Sequence, residues 1–210
     1  MKKMLGMFIG TILLGIGITL NRLSLLGNDT LSAFVFSIVE MTNLSYTLIN
    51  ILFNVILLIP MIIFMKNKIY VGTVANVVLT GIVVDLLMML SSRLNIVIEM
   101  MFLRILIGTL GVLFSTVGLA LYMQADFGII PFDASVILFS KKVKLNYGIS
   151  RIIIDIILLT SAFIISNIIL NSYAVGLFTL VSCFTYGPLI KVFSGLINKY
   201  IYKVDNPNIM

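Results

Sequence analysis

Arg151 and Asp155 stand four residues apart inside a run that is otherwise almost wholly apolar. At that spacing they share one face of a helix. An ionised side chain at membrane depth is costly unless it turns inward and is paired. Two readings stay open: an ion pair that fixes helix packing, or a midplane ligand site or proton relay. Arg104 and Asp85 are further intramembrane charge candidates, nearer to segment ends, where a long side chain can reach water.

A second group of residues forms turns. Gly27-Asn28-Asp29-Thr30 and Gly128-Ile129-Ile130-Pro131-Phe132-Asp133 each precede a short apolar piece. Glycine permits the reversal, and proline suits the first turn of a helix, where its missing N–H costs nothing. Asp29, Thr30 or Asp133 can accept free N–H groups as caps. The plain reading is that these residues only start helices. The functional reading is that a half-helix N-terminus at membrane depth offers N–H groups and a positive dipole end to a ligand. The charge of Asp133 at such an end favours a cation, a proton or an amine over an anion.

The elements that must position these groups follow from composition. The 210 residues are 60% hydrophobic and 10% charged, with a mean hydropathy of +1.19. A soluble domain of this make-up would expose large bare apolar surfaces, so a cytosolic enzyme is excluded. There is no histidine, the side chain best suited to proton transfer near neutral pH. Cys183, the single cysteine, reads as a small buried hydrophobe. Neither a metal site nor a cofactor is expected, and a nucleophile with its base is missing, so an intramembrane enzyme is disfavoured.

Apolar runs of span length, about 20 residues, occur at Met4–Leu26, Leu44–Met65, Ile69–Leu90, Ile96–Met123, Gly148–Leu170 and Tyr173–Ile197. Leu31–Val39 and Phe132–Ser140 are too short to cross as helices. The chain also repeats itself. At an offset of 101, Gly10, Gly17, Gly27, Ala33, Leu44 and Tyr46 meet Gly111, Gly118, Gly128, Ala134, Leu145 and Tyr147. The partners of Arg151 and Asp155 at this offset are Asn50 and Asn54, so polar groups fall at matching depths in both halves. Gly10 and Gly17, like Gly111 and Gly118, mark one helix face and suit close packing in lipid. Tyr46 and Tyr147 are expected as anchors at the bilayer interface.

With six spans, ten lysines fall on one side, from Lys2 to Lys203, while Arg22 and Arg93 fall on the other. The positive-inside rule then puts both termini in the cytoplasm. It also explains the net charge of +6 without a nucleic-acid partner. The expected fold is an all-α integral membrane protein of two inverted three-helix repeats, 1–95 and 96–210. Each repeat carries a short re-entrant half-helix after its first span, a recurring build of secondary transporters.

The run Leu121-Tyr122-Met123-Gln124-Ala125-Asp126-Phe127-Gly128-Ile129-Ile130-Pro131-Phe132-Asp133 resembles the "LYxxAxLGxxPWD" signature of the YczE/YyaS/YitT family of bacterial integral membrane proteins. Tyr147-Gly148 with Arg151 to Asp155 is similar to that family's "G…RxxxE" helix, and Gly187-Pro188-Leu189-Ile190 to its "GPLI". Gly72-Thr73, Asn76, Gly81 and Asp85 resemble its "GTxxNxxxxGxxxD" stretch. Phe132 stands where the family usually has Trp, Asp155 where Glu is common, and the first-half turn lacks the Pro-aromatic-Asp pattern. The resemblance implies a bacterial membrane architecture and points to Gly128, Pro131, Asp133, Arg151 and Asp155.

Together these features favour a small multi-pass transporter or permease of the bacterial plasma membrane. Its small-molecule or ion site would lie near the midplane, at the half-helix turns. The competing reading is a non-transporting accessory or substrate-capturing subunit, with a membrane-protein partner or a second copy on its small-residue faces.

Overall fold

The computed structural model describes residues 2–169 and 175–202. Among the described residues eight α-helices follow one another: α1 (Lys2–Ser24), α2 (Thr30–Thr42), α3 (Tyr46–Phe64), α4 (Val71–Arg93), α5 (Met101–Ala125), α6 (Pro131–Val143), α7 (Tyr147–Phe163) and α8 (Leu177–Ile197). A 3₁₀ turn at Lys66–Lys68 leads into α4, and π-helical turns extend α7 over Ile164–Ile169 and α8 over Asn198–Tyr202. Among the described residues there is no strand. The six helices other than α2 and α6 are long and apolar enough to cross a membrane, and the chain is a multi-pass membrane protein. At 1.5 Å per residue, the 13 residues of α2 and of α6 reach about 20 Å, short of a hydrocarbon core of about 30 Å.

Most observed helices lie within a few residues of the expected runs. The fourth starts later, because Ile96–Met100 precedes α5 and is not helical. The expected end of the fifth run at Leu170, the start of the sixth at Tyr173, and Lys203 lie outside the described residues.

The lipid-facing and inward faces are plain on α3. On α3, Leu52, Val55, Ile56, Ile59, Ile62 and Ile63 are exposed along one face, while Tyr46, Ile49, Asn50, Asn54 and Met61 are buried on the other. The apolar face suits lipid, and the polar groups turn into the bundle.

At the centre α1 and α5 cross through glycine. A Cβ on Gly10 would come 2.6 Å from the carbonyl oxygen of Gly118, and one on Gly17 would come 2.6 Å from that of Gly111. Contacts that climb one helix while descending the other make the pair antiparallel. No side chain fits at this crossing, so the two backbones touch directly. Around it α4 packs on α1, α8 on α5, α2 on α7, and α6 on α3.

The local geometry recurs at the offset of 101. Leu25 and Asp126 both have φ 58, Gly27 and Gly128 have φ 104 and 120, and Asn43 and Lys144 have φ 57 and 58. Gly27 is held against α8, where a Cβ would lie 2.4 Å from Thr179 Oγ1; one on Gly128 would lie 2.3 Å from Thr73 Oγ1 on α4. The positive φ and the close approach both require glycine at these two positions.

Tyr46 corrects an expectation. It is only 3% exposed, stacks beside Phe36 and donates its hydroxyl to Ser32, so it serves the bundle interior and not a bilayer interface. The polar tip reaches a partner on α2, which removes any need for water.

Candidate functional site

The N-terminal ends of the two short helices meet on α7. Asp29 is the N-cap of α2 and accepts the Ser32 N–H. Thr30, the first residue of α2, donates its hydroxyl across the fold to Asp155 Oδ1 at 2.5 Å. On α6, Pro131 occupies the first turn, and Ile130 is an N-cap without a side-chain bond. Asp133, in that first turn, pairs with the Arg151 guanidinium at 2.5 Å. Arg151 also donates to Asp155 Oδ2 at 3.1 Å.

The result is a continuous chain, Thr30–Asp155–Arg151–Asp133. Tyr147 extends it by donating its hydroxyl to Asp133 Oδ1 at 3.2 Å. The Arg151 guanidinium lies 4.5 Å over the Phe132 ring, an added attraction for a desolvated cation. This places Phe132 against the charge, in the position where the resemblance leads one to expect Trp. Gly128 sets the turn that delivers Pro131, Phe132 and Asp133 to this point.

The matched positions in the first half hold amides. Asn50 Nδ2 donates to the Val77 carbonyl at 2.9 Å, and Asn54 Nδ2 donates to Asn50 Oδ1 at 3.0 Å and to the Asn50 carbonyl at 2.8 Å. These residues face a cavity of about 60 Å³ whose walls include Asp29, Asn54, Thr80, Asp133, Arg151 and Tyr186. A cavity of that size has room for a few waters or one small ion. On these lining residues Asp29 Oδ1, Asn54 Oδ1, Thr80 Oγ1 and the Tyr186 hydroxyl are buried without a hydrogen-bond partner. Unmet buried polar atoms carry a desolvation cost, so they mark a place where a ligand or water belongs.

The remaining candidates lie elsewhere. Asp85 accepts the N–H groups of Tyr46 and Thr47 at 3.0 and 2.9 Å and so anchors the start of α3. Arg104 donates to the Ile98 carbonyl at 2.7 Å, which folds the Ile96–Met100 segment onto the start of α5. Arg22 pairs with Glu40 and covers the Phe36 ring. Cys183 is buried.

Of the α4 residues that line the cavity, Thr80 has no motif to mark it in the sequence, and Asn76 is marked only by the family resemblance. Gly72, Thr73, Asn76 and Thr80 are all buried on α4, and their spacing by one and two turns is a small and polar stripe at helical period. That stripe was available as a signal. Tyr147, expected as an interface anchor, instead serves the charge cluster.

No curated protein and no solved structure matches the chain. Residues 1–195 match the model of a family described as "Family of unknown function (DUF6198)". With nearly its whole length covered, the chain belongs to that family.

Proposed function

We propose that this chain is a small permease of the bacterial plasma membrane, with both termini cytoplasmic, that binds a small polar substrate in the cavity between α2, α3, α6 and α7. In this reading α1–α4 and α5–α8 are inverted repeats, and α2 and α6 are re-entrant half-helices. The support is the recurrence of φ signs at one offset, the antiparallel glycine crossing of α1 and α5, and the exchange in which each short helix packs on the other half. No catalytic step is assigned to the site.

The observation that carries the proposal is the cavity itself, a mostly apolar space with charged and amide side chains on its walls, placed where the N-terminal ends of both short helices meet Arg151. Binding between two halves that can rock against each other is the arrangement alternating access needs. The accessory-subunit reading calls for a free small-residue face. Gly10, Gly17, Gly111 and Gly118 are all used inside the chain, in the α1–α5 crossing, which weighs against it.

The test has two stages. Detergent-purified protein is screened for thermal stabilisation by ions, amines, amino acids and organic acids at two pH values. Compounds that stabilise are then followed for uptake into proteoliposomes. Uptake that is abolished in Asp133→Asn, with folding retained, supports the permease reading. Stabilisation without flux for every compound that binds would refute transport.

A further inference from the structure

We propose that Asp29, Asn54 and Thr80 hold a small monovalent cation, coordinated through oxygen, on the wall of the cavity facing the Arg151 cluster. The assignment rests on the reading of this cavity as the ligand site and supplies the class of ligand.

The unmet atoms set the chemistry. The Val77 carbonyl fixes the Asn50 amide by accepting from Nδ2, so Asn50 must present Oδ1 to Asn54. Asn54 then has to present Nδ2 to Asn50, where it also finds the Asn50 carbonyl. The orientation of both amides follows from this chain of bonds, and the atom left over on Asn54 is its carbonyl oxygen. Asn54 is 3% exposed and Thr80 5%, and both residues border the cavity. Asp29 spends one oxygen on the Ser32 N–H and leaves the other buried and unpartnered. A carboxylate and an amide carbonyl can only accept. What Asp29 and Asn54 lack is positive charge or donors.

Formal charge points the same way. Asp133 and Asp155 both pair with the guanidinium of Arg151, and Asp29 lines the same cavity as Asp133 and Arg151. Asp29 has no cation bonded to it. An unbalanced carboxylate in a low-dielectric interior is costly, and either a proton or a bound cation offsets it. One carboxylate, one amide oxygen and one hydroxyl form an all-oxygen set of single negative charge, suited to a hard monovalent ion. Ammonium offers the same charge through N–H donors, and an ion of either kind fits the cavity volume.

The experiment measures the thermal midpoint of the purified full-length protein in chloride salts of lithium, sodium, potassium, ammonium and N-methyl-D-glucamine, at constant ionic strength. At least one small cation should raise the midpoint over N-methyl-D-glucamine in a saturable way. If sodium, lithium or potassium acts, the site is a metal-ion site; if ammonium alone acts, it recognises N–H donors. Thr80→Val removes a hydroxyl that bonds nothing, so the midpoint without a small cation should hold or rise, while the cation affinity falls at least tenfold. Asp29→Asn keeps an acceptor for the Ser32 N–H and should weaken the cation similarly. Equal midpoints in all five salts would overturn the proposal and leave the cavity to water. So would full cation affinity in both variants. A cation response without flux of any compound sinks the permease reading alone, whereas flux with no cation response sinks only this inference.

Discussion

Replacing Arg151 by Gln should be among the most damaging single changes in the bundle. The guanidinium side chain is 14% exposed, and its carboxylate partners Asp133 and Asp155 are each 4% exposed. Arg151→Gln leaves both carboxylates in the interior with no cation within bonding reach. Removing one partner of a buried pair costs about 3–5 kcal/mol. For a chain of this length each kcal/mol moves the midpoint by about 2–4 °C, so a drop of roughly 6–20 °C is expected in detergent. Asp133→Asn is milder, because Arg151 keeps Asp155 and the amide oxygen still accepts.

The sharper comparison is the neutral triple variant Asp133→Asn, Arg151→Gln, Asp155→Asn. If the cost of the single change is the stranded charge, removing all three charges relieves it, and the triple variant melts higher than Arg151→Gln alone. Additive contact energies give the opposite order. The assay is a thermal melt of the four purified proteins side by side at one ionic strength. A triple variant less stable than the single one would refute the reasoning.

Three further outcomes follow from the packing and the topology. Gly118→Ala places a Cβ 2.5 Å from the Leu14 backbone nitrogen and should cost about 1–3 kcal/mol by forcing α1 and α5 apart. Gly187→Ala meets nothing within 4 Å and should be neutral or stabilising by up to about 1 kcal/mol, so the two melts must diverge. Asp85→Ala frees the N–H groups of Tyr46 and Thr47 and should lower stability by about 0.5–2 kcal/mol, with Asp85→Asn recovering part of the loss. In a Cys183→Ser background on intact cells, a membrane-impermeant maleimide should label Asn95→Cys and spare Lys68→Cys; the reverse pattern would overturn the proposed orientation.

The helices were legible because lipid imposes a long, simple pattern. Runs such as Leu44–Met65 need only apolar content and length to be read, and α3 occupies Tyr46–Phe64 within that run. The short helices were legible through their punctuation: Gly27 with Asp29, and Gly128 with Pro131. What composition could not convey is which polar group turns toward which. Tyr46 and Tyr147 look alike in sequence, flanked by the same kinds of residue, and either would suit a bilayer interface. That Tyr46 is buried and Tyr147 half-buried depends on which groups of α2 and α6 meet them, Ser32 and Asp133, a fact of the fold. The sequence likewise places Asp133 at the start of a helix, where capping is the local expectation. Arg151, eighteen residues on, competes for the carboxylate and bonds it.

The two halves share a backbone plan and differ in the chemistry they place on it. Asn50 and Asn54 form a neutral amide ladder tied to the Val77 carbonyl, while Arg151 and Asp155 at the corresponding positions are charged and tied to Asp133 and Thr30. One wall of the cavity is thereby satisfied by an internal cation, and the wall carrying Asp29 is not. Thr30 stands next to Asp29 in the chain and donates to Asp155 on the charged side, so one residue step of α2 connects the two walls. A ligand that draws on Asp29 acts on the same helix end that holds Asp155. Such a ligand can bias the position of α2 only if it contacts Asp29 differently in two arrangements of the bundle. Thr30→Val, which removes the link to Asp155 while leaving the Asp29 cap in place, separates ligand binding from that bias: affinity should persist, and any flux that depends on α2 moving with α7 should fall.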